Sequence, residues 1–386
     1  MRGHLVKRYK GSWSIVLDLG RQRDPKTGLL KRVQKWFSYS EGKTRKEAEA
    51  YLNDLLHRYH RNEVLEPSKI RLDEWLDRWL DTAVKPGKAL RTYETYRSIV
   101  DKHLKPSLGH YSIGALRPDQ LEAYYHVSTL DPKTLENHHN VLSGALGVAV
   151  RHKLIRENVA SLVMNKPRAK DDHEKIKDQC WEFEEVRAFL DTAKAAGPRQ
   201  AAFYQLALES GVRKAELCAF KWADLDFETG KIRVMRQMVK RWPVPIFGPP
   251  KNKRPRTIDL SQETLGLLKK QKVVQAERKL LLGNAYKDLG LIFAYEEPPF
   301  GMPLSANNIG QREFSKLIES AKVRPITFHG LRHTAATLML KEGIPIKVVS
   351  ERLGHKKVTI TLEIYAHALP SMQREAATKL GALFGA

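Results

Sequence analysis

Cysteine is nearly absent from this chain of 386 residues, which carries only Cys180 and Cys218. The two lie far apart and neither stands in a CxxC pair, so neither a disulfide framework nor a cysteine-built zinc site is indicated. What remains for each is the role of a small buried hydrophobe. Long apolar runs are missing too. No segment approaches the ~20 residues that cross a bilayer, and the start MRGHLVKRYKGSW has no apolar stretch of the kind that marks a secretory signal. A cytoplasmic protein without a membrane partner is expected. Acidic residues are in deficit: 44 Asp and Glu face 67 Lys and Arg, giving a net charge of +23 and an isoelectric point near 9.8. Basic residues recur from one end to the other, so a charged tail does not account for the excess, and the matching partner is a long polyanion.

The chain is too long for one ordinary domain, and its patterns change along the way. Trp13, Ile15, Leu17 and Leu19 alternate as on one face of a strand, and a second run from Leu30 to Tyr39 carries Val33, Trp36 and Phe37, with the turn DPKTG at 24–28 between them. A helix follows, opened by Thr44 with Glu47 as a capping box and bearing Ala48, Tyr51, Leu52, Leu55 and Leu56 on one side. Pro67 and Ser68 break this pattern. Leu72, Trp75, Leu76, Trp79 and Leu80 then form the stripe of a buried helix that ends at Lys85-Pro86-Gly87, and Tyr93, Tyr96, Ile99, Val100 and Leu104 form a second. A third helix starts at Pro118 and a fourth near Pro132. Helices on short connections make a compact all-α domain, whose Tyr and Trp side chains are read as core. The polar stretch NKPRAKDDHEKIKDQ reads as a linker. From Trp181 onward the pattern is mainly helical, interrupted by a hairpin of strands around Ile232 to Gln237 and Arg256 to Leu260. The expected division is 1–66, 67–164, a linker 165–179 and 180–386, in a fold that is mainly α with small β elements.

The last part carries a spaced set of reactive side chains. Arg213 stands in GVRKAEL after the break at Gly211, at the start of a helical run whose N-terminal partial charge would add to its own, and Glu216 shares its face and can hold it. Lys251 stands in PPKNKRPRTI ahead of a strand, with Lys253 as its rival because the register of PKNK is open. His329, Arg332 and His333 lie in HGLRH, on a helix capped by Thr327 and ended at Gly343, with His329 and Arg332 on one face. His355 closes RLGH, and Tyr365 follows on or near a short helix from Thr359. Guanidiniums clamp phosphodiester oxygens, lysine and imidazole move protons, and a phenol attacks phosphorus. Such a set needs neither metal nor cofactor. His329 and His333 are spaced as in zinc-binding helices, but the Glu of HExxH is missing and Arg332 would repel the ion. His333 is read instead as a packing or supporting hydrogen-bonding group.

In order and spacing these residues, together with the phrase GIPIKVVSERLGHKKVTITLEIYAH, resemble the tyrosine recombinases, the phage and mobile-element integrase family. The resemblance implies a mixed α/β, mostly α catalytic domain that breaks and rejoins DNA through a covalent 3′-phosphotyrosine and a Holliday junction. It implies Tyr365 as nucleophile, Arg213 and Arg332 as stabilisers of the transition state with help from His355, His329 as general base or proton shuttle, and Lys251 as the acid that protonates the 5′ oxygen. It makes the first segment an arm-type DNA-binding domain, a three-stranded sheet plus helix, with Arg21, Arg23, Lys26, Lys31, Arg32 and Lys35 as candidate contacts in a major groove wide enough for a β-ribbon. A solvated basic face on an unrelated domain is the other reading of that segment. The helical domain becomes a core-binding clamp, with Arg91, Thr92, Arg97 and Lys102 as candidate phosphate contacts. The implied partners are double-stranded DNA with core and arm attachment sites and a homotetramer, because exchange of two duplexes takes four cleavages. A DNA-bending host factor and an excisionase are further partners that the resemblance admits, and a bacterial nucleoid is where the bound protein would reside. Met372 to Phe384 forms a helical tail that docks in cis or in trans.

Two other readings share features with this one. A type IB topoisomerase has the same catalytic set but rejoins the original strand, and has little use for a separate site-reading module. A non-catalytic DNA-binding regulator would share the charge but has no reason for the complete Arg, Lys, His, Arg, His and Tyr set.

Overall fold

The structure, a computed structural model, describes residues 2–9, 12–23, 29–39, 44–60, 68–168, 178–241, 243–252, 254–365 and 372–384. The chain divides into two compact units, Met1–Ala169 and Lys170–Ala386.

In the first unit β1 (Arg2–Tyr9), β2 (Ser12–Arg23) and β3 (Leu30–Tyr39) pair antiparallel in that order. β1 lies in the basic run RGHLVKRY, where alternation is weak, so the residue pattern alone indicates only the two later strands. Ile15, Leu17, Phe37 and Tyr39 pack with Leu52 and Leu55 of α1 (Arg45–His60). The helix opens as expected: Thr44 N donates to Glu47 Oε2 at 3.1 Å and Glu47 N to Thr44 Oγ1 at 3.4 Å. Strand register sorts the basic residues. Lys31 and Lys35 alternate with Phe37 onto the helix-backed face, whereas Arg32 stands on the other face opposite Arg21 and donates Nε to Asp18 at 2.9 Å. The side chains of Leu19 and Arg23, and Lys26 with the rest of the DPKTG turn, lie outside the described residues, as does Pro67.

The helical part comprises α2 (Leu72–Trp79), α3 (Leu90–Ile99), α4 (Pro118–Val127) and α5 (Pro132–Arg151). α2 and α3 each run on into a π turn, at Leu80–Val84 and Val100–Leu104. The expected stripes meet in one core with Leu72, Trp75, Leu76, Leu104, Leu121 and Leu142. Trp75 Nε1 donates to Ala145 O at 3.0 Å, which satisfies the indole inside that core. Arg97 is held by Asp101 at 3.0 Å and Asp77 at 3.5 Å, while Arg91 and Lys102 are exposed and Thr92 is half-buried.

The second unit begins with α6 (Phe183–Ala196), α7 (Pro198–Ser210) and α8 (Lys214–Leu217). β4 (Leu225–Asp226), β5 (Lys231–Val234) and β8 (Arg256–Asp259) make one small sheet, and β6 (Gln237–Lys240) and β7 (Ile246–Gly248) a separate ribbon. The expected hairpin therefore needs correction: its first strand ends at Val234, and Gln237 opens the ribbon that interrupts β5 and β8. Then come α9 (Gln262–Leu282), α10 (Phe314–Ala321), α11 (Phe328–Lys341), α12 (Ile346–Leu353), α13 (Val358–Tyr365) and α14 (Met372–Phe384). Phe189, Phe203, Tyr204, Phe293, Phe314 and Phe328 build the main core. A smaller core joins Ala336, Leu340, Val349, Leu353 and Tyr365, and it fixes α11, α12 and α13 against each other. Gln179, expected in the linker, packs within this unit, where its Oε1 accepts from Thr327 N at 2.7 Å. Residues 169–177 of that linker lie outside the described residues. Cys180 and Cys218 are both buried thiols. Among the described residues no helix is long and apolar enough to cross a membrane.

Candidate active site

Gly211 ends α7 in the left-handed conformation at φ +61°, and a Cβ there would lie 2.6 Å from Leu353 Cδ2. Glycine thus turns the chain and lets α12 approach closely. Arg213 then caps α8. That helix has 4 residues, too short to supply the N-terminal charge expected of it, so positive potential here comes from side chains. Glu216, fully buried, binds Arg213 twice: Oε1 accepts from Arg213 Nη1 at 3.2 Å and Oε2 from Arg213 N at 3.1 Å.

A second guanidinium holds the same carboxylate. Arg256 Nη2 donates to Glu216 Oε2 at 2.8 Å, and Arg256 Nε donates to Arg352 O, near the end of α12, at 2.8 Å. Burial alone would raise the Glu216 carboxyl; the Arg256 hydrogen bond and charge, followed by Arg213, outweigh it and hold the group below the usual carboxylate range. Gly354 completes this junction at φ +68°. A Cβ on it would lie 2.7 Å from Arg256 Nη1, so the turn before His355 closes over the guanidinium only with glycine there. Arg256 is the positioning residue that sequence reasoning missed. Its only signal is membership of the basic run KNKRPR, where too many cations stand together for one to be singled out.

Arg332 reaches back from α11 and donates Nη1 to Gly211 O at 2.7 Å. It is 3 % exposed, and its Nη2 is buried with no partner among the described residues. Burial, then the charge of Arg213, pulls it down to about 9. An unpaired buried donor among like charges is costly unless an anion completes it.

The imidazoles feel the same field. His329 is pulled down to about 4 by burial first, then by Arg332, Arg213 and Lys251. His355 is also pulled down to about 4, by burial, Arg332, Arg213 and Arg256, and its Nδ1 lies 2.7 Å from Thr361 Oγ1. Lys251 is exposed in the turn between β7 and β8, and its neighbour Asn252 donates to Gly354 O, tying that turn to the His355 turn. Lys253 lies outside the described residues. Tyr365, the last residue of α13, is 1 % exposed, and burial pushes its phenol well up while the charge of Arg332 opposes this. Its hydroxyl lies 2.9 Å from His333 Nδ1. His329 and His333 meet edge to face at 4.8 Å between centroids, and among the described residues no third metal-ligating side chain completes a cluster with them.

These shifts predict an acid limit. A histidine at about 4 when folded and 6.5 when unfolded is protonated first in the unfolded chain, so stability present above pH 6.5 is lost as pH falls toward 4. Thermal unfolding followed by circular dichroism should show Tm dropping through that window, and dropping less in a His329→Gln/His355→Gln variant. An equal drop in both proteins would contradict this.

Comparison with known proteins places these features in context. The profile of the phage integrase family matches residues 180–372, and that of a phage integrase N-terminal SAM-like domain matches residues 71–127. The chain is 28% identical over 403 residues to a XerC-like tyrosine recombinase of Caldanaerobacter subterraneus subsp. tengcongensis, an alignment covering 98% of each. An integrase of the transposon Tn1549, solved with circular intermediate DNA, is similar with a TM-score of 0.63 at 19% identity, over 80% of this chain and 99% of that one. A lambda integrase tetramer bound to a Holliday junction gives 0.53 at 20% identity, over 92% and 96%. The two structural likenesses speak for the fold, mainly helical with small sheets.

Proposed function

Because the chain belongs to the phage integrase family and is a DNA breaking-and-rejoining enzyme of the tyrosine recombinase type, we propose that it recombines specific DNA sites of a mobile element through a phosphotyrosine on Tyr365. The observation that carries this reading is Arg332, a buried guanidinium whose Nη2 has no partner among the described residues and whose charge acts on His329, His355 and Tyr365 alike.

In this reading the scissile phosphate completes the cation cluster. Arg213, held by Glu216, and Arg332, held by Gly211 O, take its nonbridging oxygens and stabilise the charge that grows on them in the pentacoordinate transition state. His355, whose Nδ1 is engaged with Thr361 Oγ1 at 2.7 Å, donates a hydrogen bond from Nε2 to the same oxygens. His329, neutral at working pH, serves as proton acceptor or shuttle. Tyr365 Oη binds phosphorus, the P–O5′ bond breaks, and Lys251 protonates the leaving oxygen. A 5′ hydroxyl of a second strand reverses the step, so no external energy source enters. The first segment, 1–66, reads arm sites, with the exposed Arg21 and Arg32 of the outer sheet face its foremost contacts, and the bundle 67–164 clamps the core site. Residues 180–386 form the catalytic domain, and α14, with Leu380, Leu383 and Phe384 exposed, links protomers of a tetramer or closes on its own. The protein acts in the cytoplasm on nucleoid DNA, with a DNA-bending host factor and an excisionase as accessory partners.

The test is a nicked duplex whose core sequence is selected by binding from a random-duplex pool. The wild-type protein should form a covalent adduct on it and exchange strands between two such duplexes. Adducts on any sequence with relaxation but no exchange would favour a topoisomerase, and absence of any adduct would sink the mechanism.

A further inference from the structure

The geometry points to His333 as the group that takes the phenolic proton from Tyr365, which we propose as a deepening of the recombinase reading on which it rests. His333 Nδ1 lies 2.9 Å from Tyr365 Oη, with the rings 5.6 Å apart at 56°. That contact is held from both sides. His333 sits on α11 and Tyr365 ends α13, and the two helices are locked by the small core of Ala336, Leu340, Val349 and Leu353. Tyr365 is 1 % exposed, so bulk water has little access to its oxygen.

A neutral phenol is a poor nucleophile, and here burial disfavours its ionisation, so the proton must leave as the bond to phosphorus forms. The other groups whose charge acts on Tyr365 do not suit that task. Arg332 is a cation, and Cys180 is a buried thiol 3.5 Å from Thr337 Oγ1. His329 stands one turn back on α11, edge to face with His333, on the side where Arg213, Arg332 and Lys251 act. The division of labour follows from these positions. As Oη binds phosphorus, the Oη–H bond breaks and its proton moves to His333 Nδ1, 2.9 Å away. The P–O5′ bond breaks, its electron pair leaves on O5′, and that oxygen takes a proton from Lys251. During religation His333 returns its proton to Oη. His329 then serves the phosphate side or relays onward, rather than acting as first acceptor.

The experiment uses the full-length protein and the selected nicked duplex, and follows single-turnover adduct formation. His333→Asn keeps a hydrogen-bonding side chain but cannot take a proton, and His333→Ala removes the contact. Both should form adduct ~10²–10³-fold more slowly, in the lower part of the ~10²–10⁴-fold range of general-base losses, with affinity for the duplex within about threefold of wild type because phosphate contacts remain. A duplex with sulfur at the bridging 5′ position supplies a leaving group that needs no proton. It should restore Lys251→Ala and leave the His333 variants slow. His333→Asn cleaving at the wild-type rate or faster would mean that His333 only parks the tyrosine, and rescue of the His333 variants by the sulfur substrate would make it an acid; either result overturns the proposal. Absence of any adduct with wild type would overturn the recombinase reading itself, a different failure.

Discussion

Tyr365→Phe should form no detectable covalent adduct with the selected nicked duplex, a loss of at least ~10⁴-fold, because no other group replaces a missing nucleophile. The change removes one oxygen and little else. Tyr365 is buried in the small core with Leu353 and Val349, and a phenylalanine ring fills the same space. What the fold loses is the contact with His333 Nδ1 at 2.9 Å, which costs about 1 kcal/mol for a buried hydrogen bond. Affinity for the duplex should stay within about twofold, because it rests on cations rather than on the phenol. The readout is a denaturing gel for the adduct beside a binding titration on the same duplex. An undiminished adduct would remove Tyr365 from the chemistry, whereas loss of adduct together with loss of binding would point to a folding defect.

The second large effect concerns Arg332, and its two parts have opposite signs. Arg332→Met should slow adduct formation by ~10³-fold, the scale for removing a donor aimed at developing charge. The same substitution should stabilise the DNA-free protein. The guanidinium is buried and feels the charges of Arg213 and Arg256, and its folded value of about 9 lies well below that of an unfolded arginine. The sign follows from linkage: the charged form disfavours folding at neutral pH, and that penalty fades only as pH climbs above about 9 toward the range of an unfolded arginine. Methionine removes this strain and fills similar volume, but leaves the Gly211 carbonyl without its donor. The net gain is ~1–2 kcal/mol, at the low end for replacing buried charge by apolar volume, which raises Tm by ~2–8 °C in a unit of this size. Differential scanning calorimetry without DNA measures it. A lower Tm would show that the bond to Gly211 outweighs repulsion among the cations, and an unchanged cleavage rate would remove Arg332 from the transition state.

Both predictions rest on side chains that the sequence itself displays. Arg213, Lys251, His329, Arg332, His355 and Tyr365 stand at spacings that a sequence displays, on helices whose stripes and caps are local. Thr44 with Glu47, Thr327 ahead of α11, and the prolines that open α4 and α5 all do in space what their chemistry indicates, because capping depends on residues a few positions apart. β1 came only from the resemblance, which implies three strands, because its pairing with β2 and not its own pattern makes it a strand. The split of β5 from β6 escaped notice for the same reason. A strand's partner is a nonlocal fact.

The chain's order of residues thus determined the helical elements, the basic excess, the chemistry available and the members of the reactive set. Tertiary structure decided who holds whom. Arg256 binds Glu216 across 40 residues, Arg332 finds the Gly211 carbonyl across 121, and His333 meets Tyr365 across 32. No periodicity carries such information, because these pairings arise only when separate helices share a core and their polar groups, taken out of water together, must satisfy one another.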